Sequence, residues 1–280
     1  MERYRRAALV FDVHDAGPSD GSVVVLLHGF PQRNDSWNAV IDRLTAQGYR
    51  CLAPNQRGYS PGARPSRRRD YRMSELVADI GALIDASGAR RVHLVGHDWG
   101  AAVAWAAAAE MPERLATLSP ISVPHPAAFI KSITTSRQGL ASWYMYVFQL
   151  PRIPEWVLMR RNGAMASEFL RRSGQTPAAV ERDVQAMSEP GAMTAGINWY
   201  RAIPLSDLRA SNQKISVPTM YVWGDRDIAL LPKAAHDTAR YVSGEYRFEI
   251  LPDVSHWVPE EQPDTLADLL LGWFSAHQVD

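Results

Sequence analysis

The chain has 280 residues, 46% of them hydrophobic and 21% charged, enough for one large α/β domain with an insertion or for two small domains. Its 30 basic and 30 acidic groups give a formal net charge of zero, so neither nucleic acid nor an anionic membrane is expected as a partner. A lone cysteine, Cys51, excludes an internal disulfide, no signal peptide is evident, and the longest apolar run (101–109) is far too short to span a membrane, so a cytoplasmic protein is expected.

In chain order, strands are predicted at 9–14 and at 23–27, the second a continuous apolar run suited to a strand covered on both faces. Asp35 or Ser36 can cap a helix carrying Trp37, Val40, Ile41 and Leu44, ended by Gly48. Residues 49–53 form the next strand and bury Cys51; a Gly/Pro-rich loop fills 55–65, with Arg67, Arg68 and Arg69 solvated just beyond. A helical pattern covers 73–86, followed by a strand at 92–95, a helix at 101–109 and a strand at 115–121. The rhythm then breaks: from 125 to 211 no convincing strand appears. Helical patterns recur at 155–161, 165–172 and 177–187, and such a stretch is too long for a loop. Strands return at 219–223 and 246–251, with helices at 232–241 and 263–277. Alternation of this kind predicts a mostly parallel sheet with helices on both faces. The division expected is a core at 1–124, a helical cap at 125–211 and the rest of the core at 212–280.

The chemistry concentrates at three loops that follow strands, where catalytic groups of parallel sheets gather. Gly96-His97-Asp98-Trp99-Gly100 joins a strand to a helix as a nucleophile elbow does, with Asp98 where serine usually stands. A tight turn at a helix N-terminus favours an anion there. Strand 219–223 leads into Gly224-Asp225-Arg226-Asp227, and strand 246–251 into Ser255-His256-Trp257. Nucleophile, acid and histidine thus occur in the order Asp98, Asp227, His256, with Asp225 competing for the acid's place. The other histidines considered (His14, His93, His236 and His277) lack comparable context, and no pair has metal-ligand spacing near a third ligand, so no metal and no cofactor are expected.

Over nearly its whole length the chain resembles α/β-hydrolase-fold proteins of the epoxide hydrolase branch. The resemblance rests on His28-Gly29-Phe30-Pro31, the elbow, Trp223-Gly224-Asp225-Arg226-Asp227, Ser255-His256-Trp257-Val258-Pro259, Phe148-Gln149-Leu150-Pro151 with Tyr144 upstream, and Asn198-Trp199-Tyr200-Arg201. It implies that Tyr200 and Tyr144 open the ring, although Tyr146 stands two residues away and competes with Tyr144. It also implies that His28, Pro31, Phe148, Trp199 and Trp257 lie about the substrate, and that the 28–31 loop bends toward the nucleophile, with a cis bond before Pro31 conceivable.

The chemistry is coherent with that resemblance. A carboxylate can attack a saturated carbon and form an ester with the enzyme. Tyrosine O–H groups can hydrogen-bond and protonate the departing alkoxide. His256, oriented by Asp227, can then take a proton from the water that attacks the ester, while the N–H groups of Phe30 and Trp99 hold the oxyanion. A dehalogenase acting on haloalkanes or haloacids shares this triad. Halide departs without a proton and needs N–H donors; Trp99 and Trp199 are candidates, while Phe30 lacks the side-chain amide one dehalogenase branch carries there. A non-catalytic binding protein on the same fold is the remaining alternative. Of the cap's aromatic and methionine residues (Trp143, Tyr144, Met145, Phe148, Trp156, Met159, Met165, Met187 and Met193), most are expected to pack the cap on the sheet and the rest to line an apolar pocket. The expected reactants are a small hydrophobic epoxide and water, and the expected assembly is a monomer or homodimer.

Overall fold

The computed structural model describes residues 1–207 and 212–279. Its strands are β1 (Arg3–Arg6), β2 (Leu9–Ala16), β3 (Val23–Leu27), β4 (Arg50–Pro54), β5 (Val92–His97), β6 (Leu115–Ile121), β7 (Thr219–Gly224) and β8 (Tyr246–Leu251). They make one sheet in the order β1-β2-β4-β3-β5-β6-β7-β8, in which β2 runs against the rest. Helices α1 (Asn38–Ala46), α2 (Met73–Ser87) and α3 (Trp99–Glu110) alternate with the first strands. Six helices follow β6: α4 (Pro126–Thr135), α5 (Gln138–Ala141), α6 (Trp143–Val147), α7 (Ile153–Arg172), α8 (Pro177–Met187) and α9 (Ala192–Ala202). The chain closes with α10 (Pro232–Asp237), α11 (Val258–Glu261) and α12 (Pro263–Ala276).

Period-two alternation explains why the sheet is covered on both faces. In β3 all five residues are buried. Val24 and Leu26 join Ile41, Leu44, Leu270 and Phe274 in one apolar cluster. Val25 and Leu27 join Leu76, Ile80, Val103 and Trp105 in another. Cys51 is buried in β4 as predicted, and burial pushes its thiol up to about 12. The topology also fixes where the site belongs. From β3 the chain steps to β4 on one side and returns as β5 on the other, so the carboxyl ends of β3 and β5 flank a switch point. The His28–Pro31 loop and Asp98 follow those two strands.

The mostly parallel sheet and the helical insertion agree with the sequence reading. The predicted end of the cap, residue 211, lies outside the described residues. Six elements went unpredicted: the short helices α5, α6 and α11, of four or five residues each, and three others. Strand β1 is short and arginine-rich, and is held by Tyr4 stacking on Phe11. Helix α4 begins where Pro126 follows His125, whose side chain accepts from the Ala127 N–H. In α9 only Thr194 is not buried, so no polar face marks the helical period. In α7, backbone at 160–163 departs from helical geometry, which overlaps the gap between the patterns at 155–161 and 165–172 but ends the first of them two residues early. One expectation fails outright for part of the cap: Trp143, Trp156 and Met165 are exposed rather than packed inward.

Candidate active site

The elbow is a steric construction. Asp98 sits at φ 51° and ψ −121°, a conformation that residues with a Cβ rarely adopt. A Cβ on Gly96 would overlap the Gly100 carbonyl oxygen, one on Gly100 that of Leu27, and one on Gly29 the Asp98 side chain. Glycine at these three places lets β5, α3 and the loop after β3 close around one carboxylate. The Phe30–Pro31 bond in that loop is cis. The Phe30 N–H donates to Asp98 Oδ1 at 2.8 Å.

Asp98 Oδ2 lies 3.4 Å from His256 Nε2. On its other side, His256 Nδ1 donates to Asp227 Oδ2 at 2.7 Å. Asp227 is held in turn by the N–H groups of Ala229 and Leu230, which donate to its Oδ1 at 2.8 and 2.9 Å. Asp225, the competing acid, instead accepts from the Asp253 N–H in an exposed turn. Burial by itself would lower the His256 pKa; the charges and hydrogen bonds of Asp227 and Asp98 outweigh it and raise it to about 10. For Asp98, burial acts upward, and the hydrogen bond and charge of His256 with the Phe30 N–H bring the carboxyl below its usual range. At neutral pH the His256 imidazole therefore holds its proton between Asp227 and Asp98.

Asp98 opens on a cavity of about 630 Å³ that Trp99, Tyr144, Trp199 and Tyr200 also line. Apolar side chains such as Trp105, Phe129, Ile133 and Ile203 make up much of its wall. Of the two neighbouring tyrosines on α6, Tyr144 lines this cavity, whereas Tyr146 is 62% exposed. The Tyr144 and Tyr200 rings are 6.0 Å apart, edge to face. Burial, then the Asp98 and Asp227 charges, raise the Tyr144 pKa. Burial, then Tyr144 and Asp98, raise that of Tyr200, with a hydrogen bond from Trp99 acting the other way. Both phenols accordingly keep their protons at neutral pH. The Trp199 indole N–H donates to the Arg57 carbonyl oxygen at 2.8 Å.

The remaining residues expected around the substrate stand behind this wall. His28 needs correcting: it is fully buried, its Nδ1 faces the Gly29 carbonyl oxygen, and its Nε2 accepts from the Gln56 N–H. Both ring nitrogens thus hold the loop after β3. Pro31 and Phe148 are buried, the latter against Phe30 and Tyr200. Trp257 stands edge-on to His256 and donates to Ser173 Oγ at 3.0 Å. A supporting chain escaped the sequence reading. His97 Nε2 donates to the His256 carbonyl oxygen at 2.8 Å, and its Nδ1 is 3.1 Å from Gln32 Oε1. Gln32 donates to Glu260, which pairs with Arg182 of α8. The only local signal was His97 beside Asp98; the other partners are brought together by the fold. Among the described residues, no group of three His, Cys, Asp or Glu side chains is placed to hold a metal ion.

Comparison with known proteins finds relatives over nearly the whole chain. The family model described as alpha/beta hydrolase fold matches residues 22–263. A Bacillus subtilis protein named AB hydrolase superfamily protein YfhM is 36% identical over 94% of this chain and 93% of its own length. Epoxide hydrolase A of Mycobacterium tuberculosis is 32% identical over 95% of this chain and 94% of its own. A solved structure described among novel epoxide hydrolases in metagenomes from hot environments superimposes with a TM-score of 0.85, at 28% identity, covering 98% of each chain.

Proposed function

The chain belongs to the alpha/beta hydrolase fold family, and from that premise we propose that it is an epoxide hydrolase that makes vicinal diols through an ester on Asp98. The observation that carries this reading is the meeting of Asp98, Tyr144 and Tyr200 on one largely apolar cavity. Asp98 attacks a ring carbon, and the C–O bond breaks toward the two phenols. One phenol gives its proton to the leaving oxygen and is reprotonated at the expense of the His256 imidazolium. Esterification removes one of the two negative charges that held that proton, so His256 turns from acid into base as the second step begins.

In that step neutral His256, oriented by Asp227, takes a proton from water, and the resulting hydroxide attacks the Asp98 carbonyl carbon. The oxyanion forms on Asp98 itself. The Phe30 N–H that now binds Oδ1 is one donor to it, and the Trp99 N–H at the start of α3 is the other. Collapse releases the diol and restores the carboxylate and the imidazolium, so protons balance over the cycle. Residues 125–211 act in this reading as the cap that brings both phenols over the nucleophile. Trp199, Phe148 and Trp257 shape and back the site.

A halide leaving group is served less well. The Trp199 indole N–H, a donor that dehalogenation would use, already serves the Arg57 carbonyl oxygen. The test is a panel of aliphatic and aryl epoxides beside haloalkanes and fluoroacetate, assayed for diol and for halide. With a turned-over epoxide, His256→Gln should accumulate the ester as a mass increase on the peptide bearing Asp98. Halide release without diol, or a His256→Gln protein that never gains the adduct, would sink the proposal.

A further inference from the structure

We propose that the outer face of α5, α6 and the first turns of α7 docks on an anionic lipid bilayer. Helix α5 is amphipathic in the inverted sense: its Gln138, with Ser142 at its end, is buried, while Leu140 is 73% exposed; on α6 and α7, Trp143, Tyr146 and Trp156 are 58%, 62% and 63% exposed, and Ile153 is exposed too. Globular helices turn the other face outward. The orientation is pinned: Gln138 donates to Ser142 Oγ at 3.0 Å and to the Ala229 carbonyl oxygen at 2.6 Å, and accepts from the Leu231 N–H at 2.8 Å. Rotating Leu140 inward would break the two bonds to Ala229 and Leu231, which join α5 to the loop after β7.

Charge identifies what covers this face. Residues 126–172 hold seven lysines and arginines against two glutamates, leaving 23 basic and 28 acidic groups elsewhere. The neutrality of the whole chain conceals this separation. Both glutamates are occupied, Glu155 by Arg201 and Glu168 by Arg171 and Arg172. Arg137, Arg152, Arg160 and Arg161 are exposed, and Arg160 stands over the Trp156 ring at 4.9 Å. A second copy docking about a two-fold axis would bring one cationic patch against another. Tryptophan and tyrosine flanked by arginine suit the headgroup level of an anionic bilayer instead. No helix among the described residues is long and apolar enough to cross a membrane, so the contact is peripheral. The same helix faces both ways: Trp143 and Tyr146 point outward, and Tyr144 and Met145 line the cavity. An apolar ligand dissolved in the bilayer would meet the protein beside that cavity.

The test is co-sedimentation of the full chain with vesicles of phosphatidylcholine alone and of phosphatidylcholine with phosphatidylglycerol. Binding is expected to the mixed vesicles, weakening with salt. It should drop about ten-fold or more in W143A/Y146A/W156A. In R137E/R160E it should drop by roughly five-fold or more per charge. Circular dichroism and melting should be unchanged, since the altered side chains are exposed. Brominated acyl chains should quench tryptophan emission in the parent and not in the aromatic variant. Four outcomes would overturn the proposal. The first is no sedimentation with mixed vesicles, and the second is equal sedimentation of the aromatic variant. The third is a dimer in sedimentation equilibrium that W143A disperses, which assigns the face to a second copy. The fourth is binding to polyglutamate but not to vesicles, which assigns it to an acidic protein.

Discussion

The strand-end loops and the helical insertion meet at one cavity but are built by different rules. At the strand ends, backbone geometry dictates the residue. Gly29, Gly96 and Gly100 stand where no Cβ fits, and Asp227 is locked by two N–H groups and one imidazole. In the insertion the side chains are placed by packing. Gln149 donates to the Tyr200 carbonyl oxygen, and Arg201 pairs with Glu155 and bonds the Phe148 carbonyl oxygen, tying α9 to α7 and the end of α6. The proposed nucleophile is thus defined locally, whereas the proposed proton donors opposite it depend on how two helices pack.

That contrast breaks first under loss of the proposed nucleophile. Asp98→Ala should lower turnover on the order of 10,000-fold or more, read in single-turnover assays. Activity within ten-fold of the parent would mean that the strand-end loops are not the reacting region. Next come the donors. Tyr200→Phe and Tyr144→Phe should each slow ring opening by roughly 100- to 1,000-fold, while Tyr146→Phe should leave it unchanged. Pre-steady-state kinetics should place the loss in ester formation and spare ester hydrolysis. An equal loss in Tyr146→Phe would return the choice between the two α6 tyrosines to the open.

A smaller effect, on stability, sharpens the same division. The His256 pKa is raised to about 10, above the roughly 6.5 of an unfolded histidine. Its stabilising contribution is complete below the unfolded value and is lost as pH climbs toward 10. Melting temperature should therefore fall across that window, and less steeply in Asp98→Asn, which removes one of the charges holding the proton. Identical slopes in the two proteins would disconnect Asp98 from His256.

Legibility in the sequence followed the same line. The elbow, the acid and the histidine could be read because a short motif and a strand-to-loop position constrain each of them. Strand β3 could be read because every residue is apolar. Helix α9 could not, since burial on nearly all sides erases the period that betrays a helix, although its Trp199-Tyr200 pair was still found by resemblance. Tyr144 and Tyr146 are two residues apart, and only the packing of α6 separates inward from outward. His28 belongs to a motif that does contact the site, but through Phe30; its own ring turns back to brace the loop. Trp143 and Trp156 were expected inside because large aromatics usually are, and that rule gives no warning of an inverted face.

The backbone at Asp98 carries one more consequence, for the trade between durability and work. A φ of 51° with ψ at −121° suits glycine and penalises any residue with a Cβ. Alanine and glycine at this position both abolish the carboxylate, so comparing them isolates the backbone alone. Asp98→Gly should melt higher than Asp98→Ala by the equivalent of about 1–3 kcal/mol, the reverse of the usual order inside a protein. The fold would then be relaxed by a residue that brings no carboxylate, and the turn that holds Asp98 is a permanent load that the surrounding sheet carries.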